Sequence, residues 1–387
     1  MDRPAALEWA REELVRLIEI PSFSDEEHEL VRYLEARLQQ LDLPARRRPV
    51  EGSADNLVIA WDSPTDLLLT AHLDTIRPTW HWNGVAEVRN DVVYGLGAQD
   101  DKGGVVACLL SLLMARDRGV PIESLPIGVG LCVDEEVGGK GSIAMARELG
   151  PRLVVGTEGT ELRLGLAEAG FAEFWVHVPG RSIHGALRED GENAIDRAIE
   201  LVASIQVQPF ARHEHPLCGR NIPMVWEIRG GRPLNVVPDA CDVHVDIRVT
   251  PDGPTASEVL AACEALASGY GATVDVIEVS EPFETPAGAP LADALARAAR
   301  AATGRRPSPT GMLAWTDAHN FVDLAGSQAV VFGPGHLRDA HRPDEHVDLA
   351  EVVDCAQTLA NLIAGARELL DVGGTRTERS VSDGDRA

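Results

Sequence analysis

The chain has 387 residues, too many for one ordinary hydrophobic core, so its length predicts two domains. Its 35 basic and 61 acidic residues give a formal net charge of −26, which argues against nucleic acids and anionic membranes as partners because both would be repelled. Hydrophobic residues make up 44% of the chain and charged residues 25%, as in a water-soluble globular protein. The longest largely apolar stretch, residues 105–114, is too short to cross a bilayer.

The cysteines and the N-terminus indicate the compartment. The six cysteines are scattered, form no C-x-x-C pair and have mostly apolar neighbours, which predicts buried free thiols. The first twenty residues carry charges throughout, so we expect an amphipathic helix there and not a signal peptide. Both observations favour a cytoplasmic protein.

The first part of the chain alternates between helix and strand patterns. Helical periodicity occurs at residues 5–18 and 25–41, and Ser24 precedes three acidic residues as a candidate N-cap of the second helix. Further along, strands are predicted at residues 56–61, 66–71, 127–133 and 153–155, and helices are predicted after Gly103 and Gly104 through Ala115 and at 141–148. This alternation predicts an α/β fold with a mostly parallel sheet, whose ligands bind at the carboxyl ends of the strands.

From residue 170 the pattern changes to period-two alternation, which is typical of half-buried strands. Such runs occupy residues 170–180, 226–231, 240–251 and 272–279, and helices are predicted at 193–205 and 255–267. The α/β pattern then resumes, with helices at 290–303 and 349–370 and a strand at 329–332. We therefore predict an inserted α+β domain at 171–283, a discontinuous domain formed by 1–170 and 284–372, and a disordered tail at 373–387.

Five separated patches each contain a residue that binds metals well. The patches AHLDT, GLGAQDDKGG, VDEEVGG, VGTEG and DAHRPDEH supply His72, Asp100, Glu136, Glu158 and His341. Two histidines and three carboxylates suit a pair of divalent, zinc-like ions that share a bridging carboxylate, so the chain is predicted to be a metallohydrolase. Individually the patches are ambiguous, since a glycine-rich turn can also bind phosphate and two further histidines, His336 and His346, compete with His341.

Two neighbouring carboxylates have predicted supporting roles. Asp74 follows His72 by two residues in a strand, on the same face, and is placed to hold the second ring nitrogen of that histidine. In the run of Asp134, Glu135 and Glu136, three adjacent carboxylates repel one another unless cations neutralise them, and one can bind metal while its neighbour accepts a proton from water. The alternative is a solvent-facing strand end and an acidic surface loop.

In their order along the chain, HLDT, GAQDDKGG, DEEVGG, the glutamate after the next strand, and GPG followed by AH and DE resemble one enzyme family. It is the dinuclear zinc amidohydrolase and peptidase family of acetylornithine deacetylase, succinyl-diaminopimelate desuccinylase, aminoacylase and glutamate carboxypeptidase. The resemblance implies a catalytic domain with an inserted lid or dimerisation domain. It makes Asp100 the bridging ligand, with His72 and Glu158 on one metal and Glu136 and His341 on the other.

The same resemblance assigns further roles. It makes Glu135 the general base and Asp74 the support of the first histidine ligand. RSIHGALREDGENAI makes His184 a candidate for polarising the scissile carbonyl, from a partner subunit or after lid closure, and NVVPDACDVHVDIRVTP supplies Asn235 and Arg248 for a substrate carboxylate. The alternatives are that His184 lies on the surface and that Arg248 pairs with an acidic neighbour.

The implied reaction is hydrolysis of the amide bond of an N-acyl amino acid by a hydroxide held between two divalent ions. Zinc is the first choice for these ions, and cobalt and manganese are the alternatives. A dipeptidase or carboxypeptidase, an N-carbamoyl amino acid hydrolase and a non-catalytic binding relative are the rivals. The partner is thus a small molecule or short peptide, and a homodimer through the inserted domain is expected. Leu96 and Trp315 depart from the family's usual arginine and glycine, and Trp315 adjoins the expected pocket.

Overall fold

In a computed structural model the described residues are 1–61, 64–231 and 235–372, so the tail predicted at 373–387 lies outside them. Within these ranges the helices are α1 (Arg3–Ile18), α2 (His28–Gln40), α3 (Lys102–Asp117), α4 (Lys140–Leu149), α5 (Ala194–Gln206), α6 (Ala256–Gly269), α7 (Pro290–Thr303), α8 (Asp317–Asn320), α9 (Leu349–Ala364) and α10 (Ala366–Val372). The strands are β1 (Ala45–Arg48), β2 (Asn56–Ala60), β3 (Leu67–His72), β4 (Glu87–Arg89), β5 (Val92–Tyr94), β6 (Ile127–Cys132), β7 (Leu153–Gly159), β8 (Leu164–Glu168), β9 (Gly170–Pro179), β10 (Glu214–His215), β11 (Gly219–Arg220), β12 (Ile222–Gly230), β13 (Ala240–Val249), β14 (Thr273–Ser280), β15 (Phe283–Glu284), β16 (Pro309–Met312), β17 (Gln328–Gly333) and β18 (His346–Asp348).

A large mixed sheet forms the frame of the molecule. Its strand order is β1-β2-β6-β3-β7-β17-β8-β15, and β16 pairs with β8. The central strands β6, β3, β7 and β17 run parallel to one another, whereas β1, β2 and β15 pair antiparallel with their neighbours. All residues of β3, β6 and β7 are buried, as expected of strands that are covered on both faces. The parallel arrangement brings the carboxyl ends of these strands to one edge of the sheet.

Helices cover both faces of this sheet. The buried residues of α1, α3, α7 and α9 form one core with alternate residues of the strands, such as Leu69 and Val155. The intervening residues, such as Leu68 and Val154, pack on the opposite face, where Met145 of α4 lies. The apolar run at 105–114 lies within α3, most of which is buried. No helix within the described ranges has both the length and the apolar character that a membrane span requires.

A second, antiparallel sheet lies within the segment predicted as an insertion. Its strand order is β12-β13-β9-β14, and its apolar face packs against α5 and α6. On β9 and β13 the opposite face carries mainly polar side chains, as the period-two pattern predicts. The predicted class, an α/β fold with a mostly parallel central sheet and an inserted α+β unit, is confirmed. The exact boundaries at 171 and 283 stay a prediction.

Two local predictions are wrong and one is confirmed. The second helix begins at His28, with Glu27 at the N-cap position and no side-chain cap, and the hydroxyl of Ser24 donates to Asp74 instead. The terminal helix predicted at 349–370 is divided into α9 and α10 at Gly365. All six cysteines are buried and free, as predicted.

Candidate metal centre

The five predicted metal ligands meet at one edge of the large sheet. His72 ends β3, Glu158 lies near the end of β7, and Glu136 follows β6 in the next loop. Asp100 precedes α3, and His341 lies in the loop after β17. Because β6, β3 and β7 are parallel neighbours, their carboxyl ends bring three of the five side chains together, and the two loops add the others.

The distances divide the five residues into two groups that share Asp100. One carboxylate oxygen of Asp100, Oδ1, lies 3.0 Å from Nε2 of His72, and the other, Oδ2, lies 3.2 Å from Nε2 of His341. Glu158 Oε1 lies 3.4 Å from the same nitrogen of His72, and Glu136 Oε2 lies 3.0 Å from that of His341. A tetrahedral ion with ligands about 2.0–2.2 Å away separates neighbouring ligand atoms by about 3–3.5 Å. The residues present therefore fit two cations bridged by one carboxylate.

In the neutral form of His72, the contact of Nδ1 places the proton on the nitrogen that faces away from the predicted metal. Nδ1 lies 3.0 Å from the backbone carbonyl oxygen of Asp74, which can only accept, so Nδ1 carries the proton and donates it there. In the neutral ring the lone pair is then on Nε2, the atom that faces Asp100 and Glu158. The carboxylate of Asp74 is farther away, at 3.5 Å, so the backbone of this residue is the nearer support of the ring.

Electrostatics also favours cations at this position. Burial raises the pKa of Glu158 well above its usual range, and the charge of Asp100 raises it further. Burial and the same charge raise the pKa of Glu136. Hydrogen bonds to Asp100 and Glu136 raise the pKa of His341 to about 10. Carboxylates held this close to one another repel, and divalent ions would remove that repulsion.

Asp74 organises the loop that carries Glu135 and Glu136. Its fully buried carboxylate accepts the backbone N–H of Glu135 at Oδ1 (3.0 Å) and that of Glu136 at Oδ2 (3.1 Å), and it also accepts the hydroxyl of Ser24 (2.8 Å). Glu135 itself is half-buried, and burial raises its pKa well above the usual range, as do the charges of Glu158 and Glu136. A carboxyl with a raised pKa beside the ligand cluster has the chemistry of a general base.

One supporting residue was missed by the sequence analysis. The buried carboxylate of Glu345 accepts the backbone N–H groups of Gln99 (3.2 Å) and Asp100 (3.3 Å) through Oε1, and so holds the loop of the shared ligand. Glu345 is part of the DE that follows AH in the sequence, which was the available signal for it. Its contact with Asp100 could not be predicted, because no local pattern joins two residues that are 245 positions apart.

The two competing histidines do not join the cluster. His336 accepts the backbone N–H of Arg338 (2.9 Å) with Nδ1. His346 stacks on Tyr94, with ring centroids 5.0 Å apart, and its Nδ1 lies 2.9 Å from the backbone oxygen of Asp344. Of the three histidines in this segment, His341 is the one that contacts Asp100 and Glu136.

Two of the three residues expected from the inserted unit, His184 and Asn235, lie in neighbouring segments. The N–H of Gly185, next to His184, donates to the backbone oxygen of Asn235 (2.7 Å), while the His184 ring is exposed and accepts the N–H of Ala186. Arg248 on β13 donates from Nε to Asp246 (3.1 Å). None of the contacts among the described residues joins these three side chains to the ligand cluster, so their role stays a prediction.

A third group of metal-binding residue types, His215, Asp252 and Glu284, lies outside this centre. Nδ1 of His215 accepts the backbone N–H groups of Leu217 (3.3 Å) and Cys218 (3.2 Å), so the neutral ring carries its proton on Nε2. That nitrogen faces Glu284 at 3.4 Å and has no lone pair for a cation. This group is therefore a hydrogen-bonded contact between the inserted segment and the large sheet.

The comparisons with known proteins agree with this geometry. The pattern of peptidase family M20/M25/M40 matches residues 68–365. The chain is 26% identical to the "Probable carboxypeptidase" of Emericella nidulans over 91% of this chain and 88% of the relative. It is 28% identical to the acetylornithine deacetylase of Myxococcus xanthus over 87% of this chain and 91% of that protein. A tripeptidase from Staphylococcus aureus has a similar fold, with a TM-score of 0.77 and 18% identity over 94% of this chain and 99% of the tripeptidase.

The family match covers well over half of the chain, and it includes all five predicted ligands. The two relatives act on different substrates by name, so they define the reaction class and not the substrate. The chain belongs to peptidase family M20/M25/M40 and is a metal-dependent hydrolase that acts on amide or peptide bonds.

Proposed function

We propose that this protein hydrolyses the amide bond of an N-acyl amino acid with the help of two divalent ions, for which zinc is the first choice. The ions would be held by His72, Asp100, Glu136, Glu158 and His341. The observation that carries the proposal is the position of Asp100, whose two carboxylate oxygens each face Nε2 of a different histidine. When bound, the ions lower the pKa of a water molecule and polarise the scissile carbonyl. The similarity to acetylornithine deacetylase supports an acyl substrate.

In this proposal Glu135 transfers the protons. It accepts a proton from the attacking water and later donates it to the leaving amine, since a carboxyl with a raised pKa can do both near neutral pH. Its position follows from the hydrogen bond between its backbone N–H and Asp74. The carboxylate of Glu136, the next residue along the chain, contacts His341, so one turn supplies a ligand and a base.

The inserted unit supplies substrate recognition in this proposal. Arg248 donates from Nε to Asp246, which leaves its two Nη groups for the carboxylate of the amino-acid part. Its guanidinium lies over the ring of Phe171, 5.2 Å from the ring centroid, at the end of β9 that joins the large sheet. Asn235 would assist, and His184 would stabilise the oxyanion from a partner subunit or after lid closure. This assigns residues 171–283 the role of a lid and dimerisation domain.

A free sheet edge supports a homodimer. β12 pairs with β13 on one side and forms an edge of the inserted sheet. It carries four exposed apolar side chains, Ile222, Met224, Trp226 and Ile228. A long edge strand with exposed apolar residues is a surface on which a second copy can pair. The six buried free thiols support a cytoplasmic location.

A substrate panel tests the proposal. The purified protein with two equivalents of zinc, cobalt or manganese is assayed against acetyl, succinyl, carbamoyl and aminoacyl amino acids. We expect the acyl amino acids to be the better substrates, and a preference for aminoacyl compounds would favour the dipeptidase rival, which the similarity to a carboxypeptidase keeps open.

The variant Glu135→Ala tests the base. It should lose turnover and retain both metal ions, because Glu135 is not among the ligand contacts. Retained turnover would show that another group accepts the proton. Absence of turnover in the wild-type protein, together with absence of tightly bound metal, would favour the non-catalytic rival.

A further inference from the structure

Trp315 touches both the inserted unit and the loop of the proposed base. Its Nε1–H donates to the hydroxyl of Ser280, at the end of β14 (3.3 Å). Its ring lies against Gly139 so closely that a Cβ added there would be 2.6 Å from ring atom Cη2. One side chain therefore joins two parts of the molecule that are far apart in sequence.

Ser280 belongs to the connection between the inserted sheet and the large sheet. The chain enters the inserted sheet from β8 into β9 and leaves it from β14 toward β15, so these are its two connections. They lie side by side, since Phe171 pairs with Ser280 and a Cβ at Gly170 would collide with the Ser280 carbonyl oxygen. Any rotation of the inserted sheet relative to the large sheet must bend the backbone at this point.

Trp315 also contacts the residues that hold the other connection, from β8 into β9. The indole stacks on His319, with ring centroids 6.0 Å apart and an angle of 27° between the planes. Nδ1 of His319 lies 3.2 Å from Glu168, the last residue of β8, and Glu168 also accepts the N–H and hydroxyl of Thr316 (2.8 and 2.9 Å). His319, Thr316 and Glu168 are buried. The indole is thus attached to both strands that lead into the inserted unit.

Gly139 closes the turn that carries the base. Its N–H donates to the backbone oxygen of Asp134 (2.6 Å), so Glu135 and Glu136 lie within this closed turn. Gly139 has a φ of +62°, a conformation that favours glycine, and its carbonyl accepts from Ser142 (3.1 Å). The indole therefore contacts a residue that belongs to the same closed turn as Glu135 and Glu136.

We propose that Trp315 is a positioning residue that couples the position of the inserted unit to the placement of Glu135. The inference rests on the proposed function, because it takes Glu135 as the base. Rotation of the inserted unit moves Ser280, the indole follows through its hydrogen bond, and the turn from Asp134 to Gly139 moves with the indole. Closure on a substrate would then place the base at the same time.

A kinetic double-mutant cycle tests the coupling in the zinc-loaded protein. Ser280→Ala removes the acceptor, and Trp315→Phe removes the donor while it retains a ring against Gly139. Each variant should lower kcat about threefold to tenfold, which corresponds to the loss of one hydrogen bond in the transition state. The KM of each variant should change by less than about twofold. The double variant should be no slower than the single variants, because both remove the same bond. Trp9→Phe, on α1, is the matched control and should keep the wild-type kcat.

Two kinetic results would overturn the coupling. The first is additive losses of kcat in the double variant. The second is an equal loss in all variants, the Trp9 control included. A decrease of melting temperature in place of kcat would indicate a packing role alone.

Hydrogen exchange gives a second readout that does not require activity. In Trp315→Ala with both metals bound, amide exchange should become faster in two separate segments, residues 134–140 and 168–171. Faster exchange confined to the residues next to position 315 in the sequence would refute the coupling. If the wild-type protein hydrolyses no compound of the panel, the proposed function fails while this measurement still decides whether the two segments are coupled.

Discussion

Replacement of Asp74 by asparagine is the sharpest test of how this centre is built. The two carboxylate oxygens accept different backbone N–H groups, those of Glu135 (3.0 Å) and Glu136 (3.1 Å). An asparagine of the same shape has a single oxygen acceptor, so its NH₂ group must face one of the two N–H donors. The side chain is fully buried, and water cannot replace the lost acceptor.

The magnitude follows from the loss of one hydrogen bond to a charged group. Such a bond contributes about 1.5–3 kcal/mol, which corresponds to a decrease of kcat of about 10- to 150-fold if the misplaced turn carries the base. We expect the free energy of unfolding to fall by a similar amount. The assay is the initial rate on the best substrate of the panel, with metal content measured on the same samples and urea unfolding measured in parallel.

Ser24→Ala is the matched control for Asp74→Asn. It removes the third donor to this carboxylate (2.8 Å) and leaves both backbone contacts in place, so kcat should change by less than about threefold. The reasoning is refuted if Asp74→Asn keeps at least half of the wild-type kcat with both metals bound. An equal loss in the two variants would refute it as well. Loss of metal from Asp74→Asn would instead assign the effect to the contact between the Asp74 carboxylate and Nδ1 of His72 (3.5 Å).

Three further measurements test the metal pair, a buried carboxyl and the dimer. Chelator-treated protein should be inactive and should regain activity up to two equivalents of metal per chain, and full activity at one equivalent would contradict a shared Asp100. Burial raises the pKa of Glu27 from 4.5 to about 7, so the folded protein binds more protons than the unfolded chain in this window and loses stability as the pH rises through it. In chemical denaturation, the free energy of unfolding of Glu27→Gln should therefore exceed that of the wild type by about 1–3 kcal/mol at pH 8 and equal it near pH 4.5. A difference between the two proteins that does not change with pH would contradict this prediction. For the proposed dimer, sedimentation should show that Ile228→Lys on β12 yields monomers while Val276→Lys on β14 leaves the dimer intact, and the reverse result would move the interface to the other edge.

Local periodicity explains why much of the fold was predictable. The strands β3, β6 and β7 are buried throughout and begin with apolar residues, and the inserted strands alternate with period two because one face packs on helices. Short irregular strands were not predicted. β4 and β18, for example, have three residues each, too few to show a period.

Predictions that rest on one neighbour in sequence were less secure. Serine is a residue type that commonly caps helices, yet the hydroxyl of Ser24 donates to Asp74, which is 50 residues away in the sequence. Asp74 is on the same strand face as His72, yet its backbone oxygen is nearer to the ring than its carboxylate. In both cases the side chain has a stronger partner in the folded protein, the charged carboxylate for Ser24 and two buried backbone N–H groups for Asp74.

The sequence by itself determined which residue types are available and at which strand ends they lie. That was sufficient to predict the α/β class, the inserted sheet and five candidate ligands, three of them at the carboxyl ends of parallel strands, and the family resemblance assigned the five to two metals. Only the tertiary structure decided which oxygen of Asp100 faces which histidine, that Glu345 holds the Asp100 loop, and that Trp315 lies between Ser280 and Gly139. These contacts join residues far apart in the chain, and their distances depend on how whole elements pack, which no local pattern encodes.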